Sequence, residues 1–240
     1  MKIEQVKKLQ HKKYRQALGY CLVEGEHLIL ELQKASQFNP QLLDSVIYVT
    51  DRYAHWQTPF KVQQVSEKQM AQLSDTHTPQ GILARVPLSA WQSGSSGNDV
   101  AVYLHEIQDP GNLGTILRTL GWFGGYRCLL SPASVDPFNP KVIRASMGAI
   151  FHVPMELEVS LDRLSERFTH IACLDLQGDA ITSESFKQAD CYLFGNEARG
   201  VPQAALEKMK THTYTIPGKG QIESLNLATA VNICAYERQR

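Results

Sequence analysis

Three polar segments carry the residue types that could do chemistry, and each follows a short apolar run of the 240-residue chain. The first spans residues 109–118 and reads Asp-Pro-Gly-Asn-Leu-Gly-Thr-Ile-Leu-Arg. The second, residues 195–200, is Gly-Asn-Glu-Ala-Arg-Gly, and the third, residues 216–226, is Ile-Pro-Gly-Lys-Gly-Gln-Ile-Glu-Ser-Leu-Asn. Backbone N–H groups and helix N-termini converge beyond the carboxyl ends of parallel strands. The pattern therefore predicts one ligand site at a sheet edge.

Each segment also has an ordinary structural interpretation. Asp-Pro-Gly is typical of a turn, after which Asn112 is predicted to cap a helix and Arg118 could be a surface side chain. The second segment could be a plain strand-to-helix loop with Pro202 at the first helical position. Ser224 could cap the last helix, with Asn226 in its first turn. The three segments together are more specific than any one alone.

Several common catalytic motifs are missing from the sequence. There is no glycine-rich dinucleotide fingerprint, no P-loop, no His-Glu-x-x-His and no Gly-x-Ser-x-Gly. The eight histidines are dispersed, and no Cys/His cluster has metal-ligand spacing. The pattern disfavours a nicotinamide dehydrogenase, a P-loop NTPase, a zinc enzyme, a serine hydrolase and a Rossmann-type methyltransferase, and it predicts no metal site.

Strands and helices that must position these segments alternate along residues 99–240. Short apolar runs at 100–105, 128–131, 171–176, 191–194 and 214–216 are typical of parallel strands buried on both faces. Apolar residues at helical spacing follow the first strand, and a closing helix is predicted over 225–238. These features predict an α/β fold with a parallel sheet.

The first part of the chain also alternates. We predict helices over 2–17 and 26–35, and strands over 20–23, 45–50 and 81–87, which together indicate a small α/β domain. Residues 91–98 are rich in Gly and Ser and are predicted to form a linker. The predicted division is therefore a domain over 1–90, a linker over 91–98 and a second domain over 99–240.

Charge and composition limit the classes of function. The chain has 24 Lys and Arg against 24 Asp and Glu, so a purely electrostatic coat for nucleic acid is disfavoured. Residues 1–20 hold six basic side chains and one acid, Glu4, which suits either a solvated helix face or a phosphate-contacting face. No apolar run reaches 18 residues and no signal peptide is visible. Five scattered cysteines without a Cys-x-x-Cys suggest reduced thiols in the cytoplasm.

In order and spacing, the three segments resemble the motifs of the SpoU/TrmH family of RNA ribose 2′-O-methyltransferases, part of the knotted SPOUT superfamily. The family motifs look like N-x-G-x-x-x-R, G-x-E-x-x-G and I-P-x-x-G-x-x-E-S-L-N. Residues 136–149 resemble the family segment between the first two motifs, and residues 14–15 and 22–27 more weakly resemble a ribosomal-protein-like RNA-binding domain. Gly218 and residues 228–230 depart from the usual family residues without removing a named catalytic position.

The resemblance implies a deep trefoil knot, a homodimer without metal, and methyl transfer from S-adenosylmethionine to a ribose 2′-hydroxyl. The catalytic residues it implies are Arg118, Asn112, Glu197, Ser224 and Asn226. The cofactor-binding residues it implies are Gly195, Ile216, Leu225, Phe194, Pro217 and Asn226. The RNA-binding residues it implies are Lys12, Lys13, Arg15, Lys141, Arg144 and Arg199. Glu197 is expected to hold the site together by pairing with a basic or amide group.

Alternatives stay open at this point. The two-domain layout favours ribosomal RNA over transfer RNA, and a base methyltransferase or an inactive RNA-binding or ribosome-assembly protein could share the fold. Arg118 could remove the hydroxyl proton as a base. Because arginine stays protonated in proteins, it could instead hold a phosphate and stabilise a developing alkoxide.

Overall fold

The computed structural model describes residues 1–91 and 99–240, so the predicted linker, apart from Trp91, lies outside the described residues. The described residues form two compact units. The first contains residues 1–91 together with Asp136–His152, and the second contains residues 99–135 and Val153–Arg240. The predicted division at 91–98 stays a prediction. No helix among the described residues is long and apolar enough to cross a membrane.

The helices and strands are short and alternate along the chain. The helices are α1 (Ile3–Lys8), α2 (Lys12–Leu18), α3 (Glu26–Ser36), α4 (Glu67–Leu73), α5 (Pro110–Phe123), α6 (Pro140–Ala145), α7 (Leu164–Arg167), α8 (Glu184–Lys187), α9 (Gln203–Leu206) and α10 (Leu227–Gln239). The strands are β1 (Tyr20–Glu24), β2 (Val46–Val49), β3 (Lys61–Gln64), β4 (Ile82–Pro87), β5 (Val100–Leu104), β6 (Tyr126–Leu130), β7 (Met155–Glu156), β8 (Ile171–Ala180), β9 (Cys191–Phe194) and β10 (Thr211–Thr215).

A four-stranded mixed sheet in the order β1-β4-β2-β3 forms the centre of the first unit. Strands β2 and β3 are parallel, whereas β4 runs antiparallel to both β1 and β2. The single helix predicted over 2–17 is two helices, because the chain turns between Lys8 and Lys12. Arg15 in α2 donates to the main-chain oxygens of Leu9 and Gln10 and so satisfies acceptors at this break.

The segment Asp136–His152 belongs to the first unit although it lies between β6 and β7 in the chain. The Trp91 indole N–H donates to the Ile150 carbonyl at 2.8 Å, and the Trp91 ring stacks on Phe151 at 5.8 Å between centroids. At Gly148, where φ is +92°, a Cβ would lie 2.5 Å from Cγ of Glu31. This glycine permits both the left-handed backbone and the close approach to α3.

A six-stranded parallel sheet in the order β10-β8-β9-β5-β6-β7 forms the centre of the second unit. This result confirms the predicted α/β class. Inward side chains such as Ala101, Tyr103 and Leu193 are fully buried, as expected for strands covered on both faces. The polar segments 109–118, 195–200 and 216–226 follow the carboxyl ends of β5, β9 and β10.

Candidate functional site

The first polar segment begins α5, but Asp109 rather than Asn112 is its cap. The Asp109 carboxylate accepts a hydrogen bond from the Asn112 main-chain N–H at 2.7 Å, and Pro110 is the first helical residue. The prediction that Asn112 caps the helix is therefore wrong. Because the helix starts two residues before it, Asn112 lies within the first turn and its side chain is available for other contacts.

Asn112 is the point at which all three polar segments meet. Its amide Nδ2 donates to Oε1 of Glu197 at 3.2 Å, and its Oδ1 accepts from Nδ2 of Asn226 at 2.9 Å. Glu197 and Asn226 are 85 and 114 residues away from Asn112 along the chain. The three distant segments are thus joined by a hydrogen-bonded chain of three side chains, called the Asn112 network below.

Glu197 also fixes the loop between β5 and α5. Its carboxylate accepts from the main-chain N–H of Gln108 at 3.3 Å and from that of Asp109 at 3.4 Å. Together with the amide of Asn112, these donors surround the carboxylate with N–H groups. The expected pairing of Glu197 with an amide group is therefore observed.

Asn196 holds the loop after β9 in a tight turn and was not singled out by the sequence. It is 7% exposed, its Oδ1 accepts from the N–H groups of Ala198 and Arg199, and its Nδ2 donates to the Glu106 carbonyl at 2.7 Å. Asn196 and Gly200 also exchange two main-chain hydrogen bonds. The sequence signal was a polar residue two positions after a buried strand.

Asn226, and not Ser224, caps the last helix. Its Oδ1 accepts from the N–H groups of Ala228 and Thr229 at 2.9 and 3.3 Å, while its amide donates to Asn112. One side chain therefore sets both the start of α10 and the position of the third segment. Ser224 is exposed and forms no hydrogen bond within the described part of the chain.

Arg118 lies on the exposed face of α5, about 9 Å along the helix axis from Asn112. No described residue forms a hydrogen bond or ion pair with its guanidinium. The structure thus does not link Arg118 directly to the Asn112 network. It leaves the positive charge of Arg118 available to an anionic ligand.

The electrostatics near the loop after β5 involve three neighbouring groups. Arg199 is 70% exposed and pairs with the Glu106 carboxylate at 2.5 Å. Glu106 has an unusual φ of +48°, and its carbonyl accepts from the side chains of both Asn196 and Gln108. Burial lowers the pKa of His105 because it disfavours the charged form of the ring.

Five of the six residues predicted to bind RNA belong to the first unit. Lys12, Lys13 and Lys141 are exposed, and Arg144 is half-buried in an ion pair with Asp75. Arg15 is 3% exposed, and its guanidinium contacts Asp136 and two main-chain carbonyls. Arg15 therefore stabilises this unit from within and does not present its charge to RNA.

The loop after β9 and the segment before α10 have a main chain suited to a flat, nucleotide-like cofactor. Among the described residues, no hydrogen bond outside regular strands occupies the main-chain groups of Gly195, Ile216 or Leu225. Leu225 and Pro217 are exposed, whereas the Phe194 side chain is buried at the end of β9. Available N–H and C=O groups beside apolar side chains are what a purine ring requires. The predicted cofactor residues thus fit such a group.

We expect Gly195→Ala to disrupt this loop. A Cβ at Gly195 would lie 2.4 Å from the main-chain carbon of Gly200, and backbone cannot move aside as a flexible side chain can. The free energy of unfolding should fall by about 1–3 kcal/mol, and cofactor affinity should fall with it. Gly218→Ala is the matched control because no atom lies within 4 Å of its Cβ position. Thermal unfolding measures the stability, and calorimetric titration measures the affinity for the cofactor. Equal stability and equal affinity in the two variants would contradict the assignment of Gly195 to the cofactor-binding loop.

Comparisons with known proteins agree with this geometry. Residues 99–236 match the model of the SpoU rRNA Methylase family, and residues 1–84 match the MRM3-like substrate binding domain. The chain is 32% identical to the 23S rRNA (guanosine(2553)-2′-O)-methyltransferase RlmP of Bacillus subtilis, over 98% of this chain and 94% of that protein.

Two solved structures show the same architecture. A putative RNA methyltransferase of the TrmH family from Porphyromonas gingivalis has a TM-score of 0.84 and 29% identity, with 98% of this chain and 96% of that chain covered. An AdoMet-bound rRNA methyltransferase from Sinorhizobium meliloti has a TM-score of 0.82 at 23% identity, with coverages of 99% and 93%, and supports the fold alone. The resemblance predicted from the three motifs is confirmed, and the chain belongs to the SpoU rRNA Methylase family.

Proposed function

We propose that this protein transfers a methyl group from S-adenosylmethionine to a ribose 2′-hydroxyl of ribosomal RNA. The observation that carries the proposal is the Asn112 network, which joins all three family motifs at one sheet edge. The relative RlmP is named as a 23S rRNA 2′-O-methyltransferase, which supports both the ribose and ribosomal RNA. A transfer RNA substrate is the second candidate, since another relative is named as a tRNA/rRNA methyltransferase.

Main-chain groups of Gly195, Ile216 and Leu225 would hold the adenosine of the cofactor, with Phe194, Pro217 and Asn226 beside it. When bound, S-adenosylmethionine would supply an electrophilic methyl group on a sulfonium, and the thioether would be its leaving group. The chain supplies orientation, which is worth up to roughly 7–11 kcal/mol when two reactants are held in line. Threading of the C-terminal segment through a trefoil knot is part of the same proposal.

Arg118 would contact the reacting ribose or its phosphate. Its guanidinium is exposed and has no partner among the described residues, which suits an electrostatic role in which it holds the neighbouring phosphate and stabilises the oxygen as the proton leaves. A role as proton acceptor requires the neutral form, which arginine rarely adopts. Glu197 would act through Asn112 and the loop after β5, and Ser224 would line the methionine side of the site.

A homodimer is a further part of the proposal. Helix α5 packs against α10, and these helices expose Trp122 and Tyr236 at 84% and 58%. Two exposed aromatic side chains on neighbouring helices suit an interface. Val231 and Cys234 of α10 are buried and belong to the core instead. We place the protein in the cytoplasm, in keeping with an RNA substrate and five unpaired cysteines.

Mapping of 2′-O-methylated positions in total RNA, from cells with and without this protein, tests the proposed function. We expect one position in ribosomal RNA to lose its methyl group when the protein is removed. Loss at a transfer RNA position would support the second candidate. A methylated base, or no change together with absent cofactor binding in calorimetry, would contradict the proposal and favour a base methyltransferase or an inactive RNA-binding protein.

A further inference from the structure

We propose that α2 and α6 together form a phosphate-binding surface for the RNA backbone, held in place by the buried Arg15–Asp136 ion pair as its positioning element. The inference rests on the proposed function and extends it. The substrate-binding domain model ends at residue 84, whereas α6 lies within the segment matched by the methylase family. Both helices nevertheless belong to the same compact unit.

The ion pair connects α2 to the turn that precedes α6. Nε and Nη2 of Arg15 in α2 donate to Oδ2 of Asp136 at 3.0 and 2.5 Å, and the two side chains are only 4% and 12% exposed. The other carboxylate oxygen of Asp136 accepts from the N–H of Phe138 at 3.0 Å, within the turn that leads to α6. Asn139 then caps α6 by accepting from the N–H of Lys141 at 2.9 Å. The position of α6 is thereby fixed relative to α2.

Three of the exposed side chains on this pair of helices are lysines. Lys12 and Lys13 lie one turn before Arg15, Lys141 lies five residues after Asp136, and all three are exposed. None of the three forms an ion pair with a described residue. The charge of Arg144 in α6 is paired with Asp75, so the proposed surface consists of the three lysines without that arginine. An unneutralised set of lysines on a rigid frame suits the phosphates of structured RNA.

Salt-dependent RNA binding by the full chain tests the surface. The probe is a fluorescein-labelled RNA hairpin of mixed sequence, titrated by anisotropy between about 50 and 200 mM salt. We expect Lys12→Ala and Lys141→Ala each to reduce the slope of log affinity against log salt by about 0.7–0.9. Lys68→Ala, an exposed lysine of α4, is the control and should leave the slope unchanged. If Lys141→Ala leaves the slope of log affinity against log salt unchanged, the proposed phosphate-binding surface is wrong.

The positioning role of the ion pair requires a variant that stays folded. Arg15→Met combined with Asp136→Leu removes both charges at once, and such apolar replacements of buried pairs often preserve stability. We expect Lys141→Ala to have no further effect on the slope in that background, because α6 is no longer held against α2. If Lys141→Ala still lowers the slope by its full amount there, the pair is merely structural. Should the double variant unfold, Asp136→Asn, which removes the negative charge and keeps the shape of the side chain, replaces it under the same criterion.

Methyl incorporation into ribosomal RNA and cofactor calorimetry separate this proposal from the proposed function. Both surface variants should bind S-adenosylmethionine as the unmodified protein does. A protein that shows the expected salt response but transfers no methyl group overturns the proposed function and leaves the surface standing. If the protein methylates RNA but Lys12→Ala and Lys141→Ala leave the salt slope unchanged, the phosphate-binding surface is overturned and the proposed function stands.

Discussion

Replacing Arg118 with alanine is expected to lower the rate of methyl transfer at least about a hundred-fold while S-adenosylmethionine still binds. The guanidinium is exposed and has no partner among the described residues, so its removal should not disturb the fold. The loss should fall mainly on the turnover of bound RNA, because the charge of Arg118 acts on the oxygen as its proton leaves. Single-turnover transfer of labelled methyl groups measures this rate.

Two further variants sharpen the Arg118 experiment. Arg163→Ala removes an exposed arginine of the same unit and should keep full activity. Arg118→Lys keeps a positive charge but loses the planar fork of donors, so partial activity would indicate charge and full loss would indicate two-point contact with phosphate. Unchanged methyl incorporation by Arg118→Ala would remove Arg118 from the reaction.

The parallel sheet could be predicted largely because most of its strands are continuous apolar runs. Strand β3, which the sequence missed, and strand β10, of which it indicated only the end, lie at sheet edges, where that signal is absent. All four residues of β3 are exposed, and β10 begins with Thr211, His212 and Thr213. Both strands occupy the end of their sheet. An edge strand carries polar side chains, and a prediction based on apolar runs therefore assigns such a segment to a loop.

The candidate site could be predicted from its motifs, but its contacts could not. The motifs indicated Asn112, Glu197 and Asn226, yet nothing local shows that Asn112 accepts from one partner and donates to the other. The sequence Asp-Pro-Gly is typical of a turn, so the cap at Asp109 was not predicted. The same residues also suit the start of a helix with Pro110 at its first position, which is what the structure shows.

The packing of Asp136–His152 with the first unit could not be predicted at all. Asp136 and Arg15 are 121 residues apart in the sequence, and no local sequence pattern predicts an ion pair over that separation. A basic residue in a lysine-rich stretch looks like a surface charge, and only its burial shows that it is structural. This is why the sequence assigned Arg15 to RNA.

We expect Asp136→Ala to lower the free energy of unfolding of the first unit by about 3–5 kcal/mol, because it leaves the buried Arg15 guanidinium without its counter-ion. Asp75→Ala is a matched control, since Asp75 also pairs with an arginine at 2.5 Å but both side chains are more exposed, at 25% and 35%. That loss should be only about 0–1 kcal/mol, because water compensates both charges. Urea unfolding followed by tryptophan fluorescence measures both values. Equal losses would mean that burial does not distinguish the two pairs and that the Arg15 guanidinium is accessible to water. Arg15 would then again be a candidate for RNA contact.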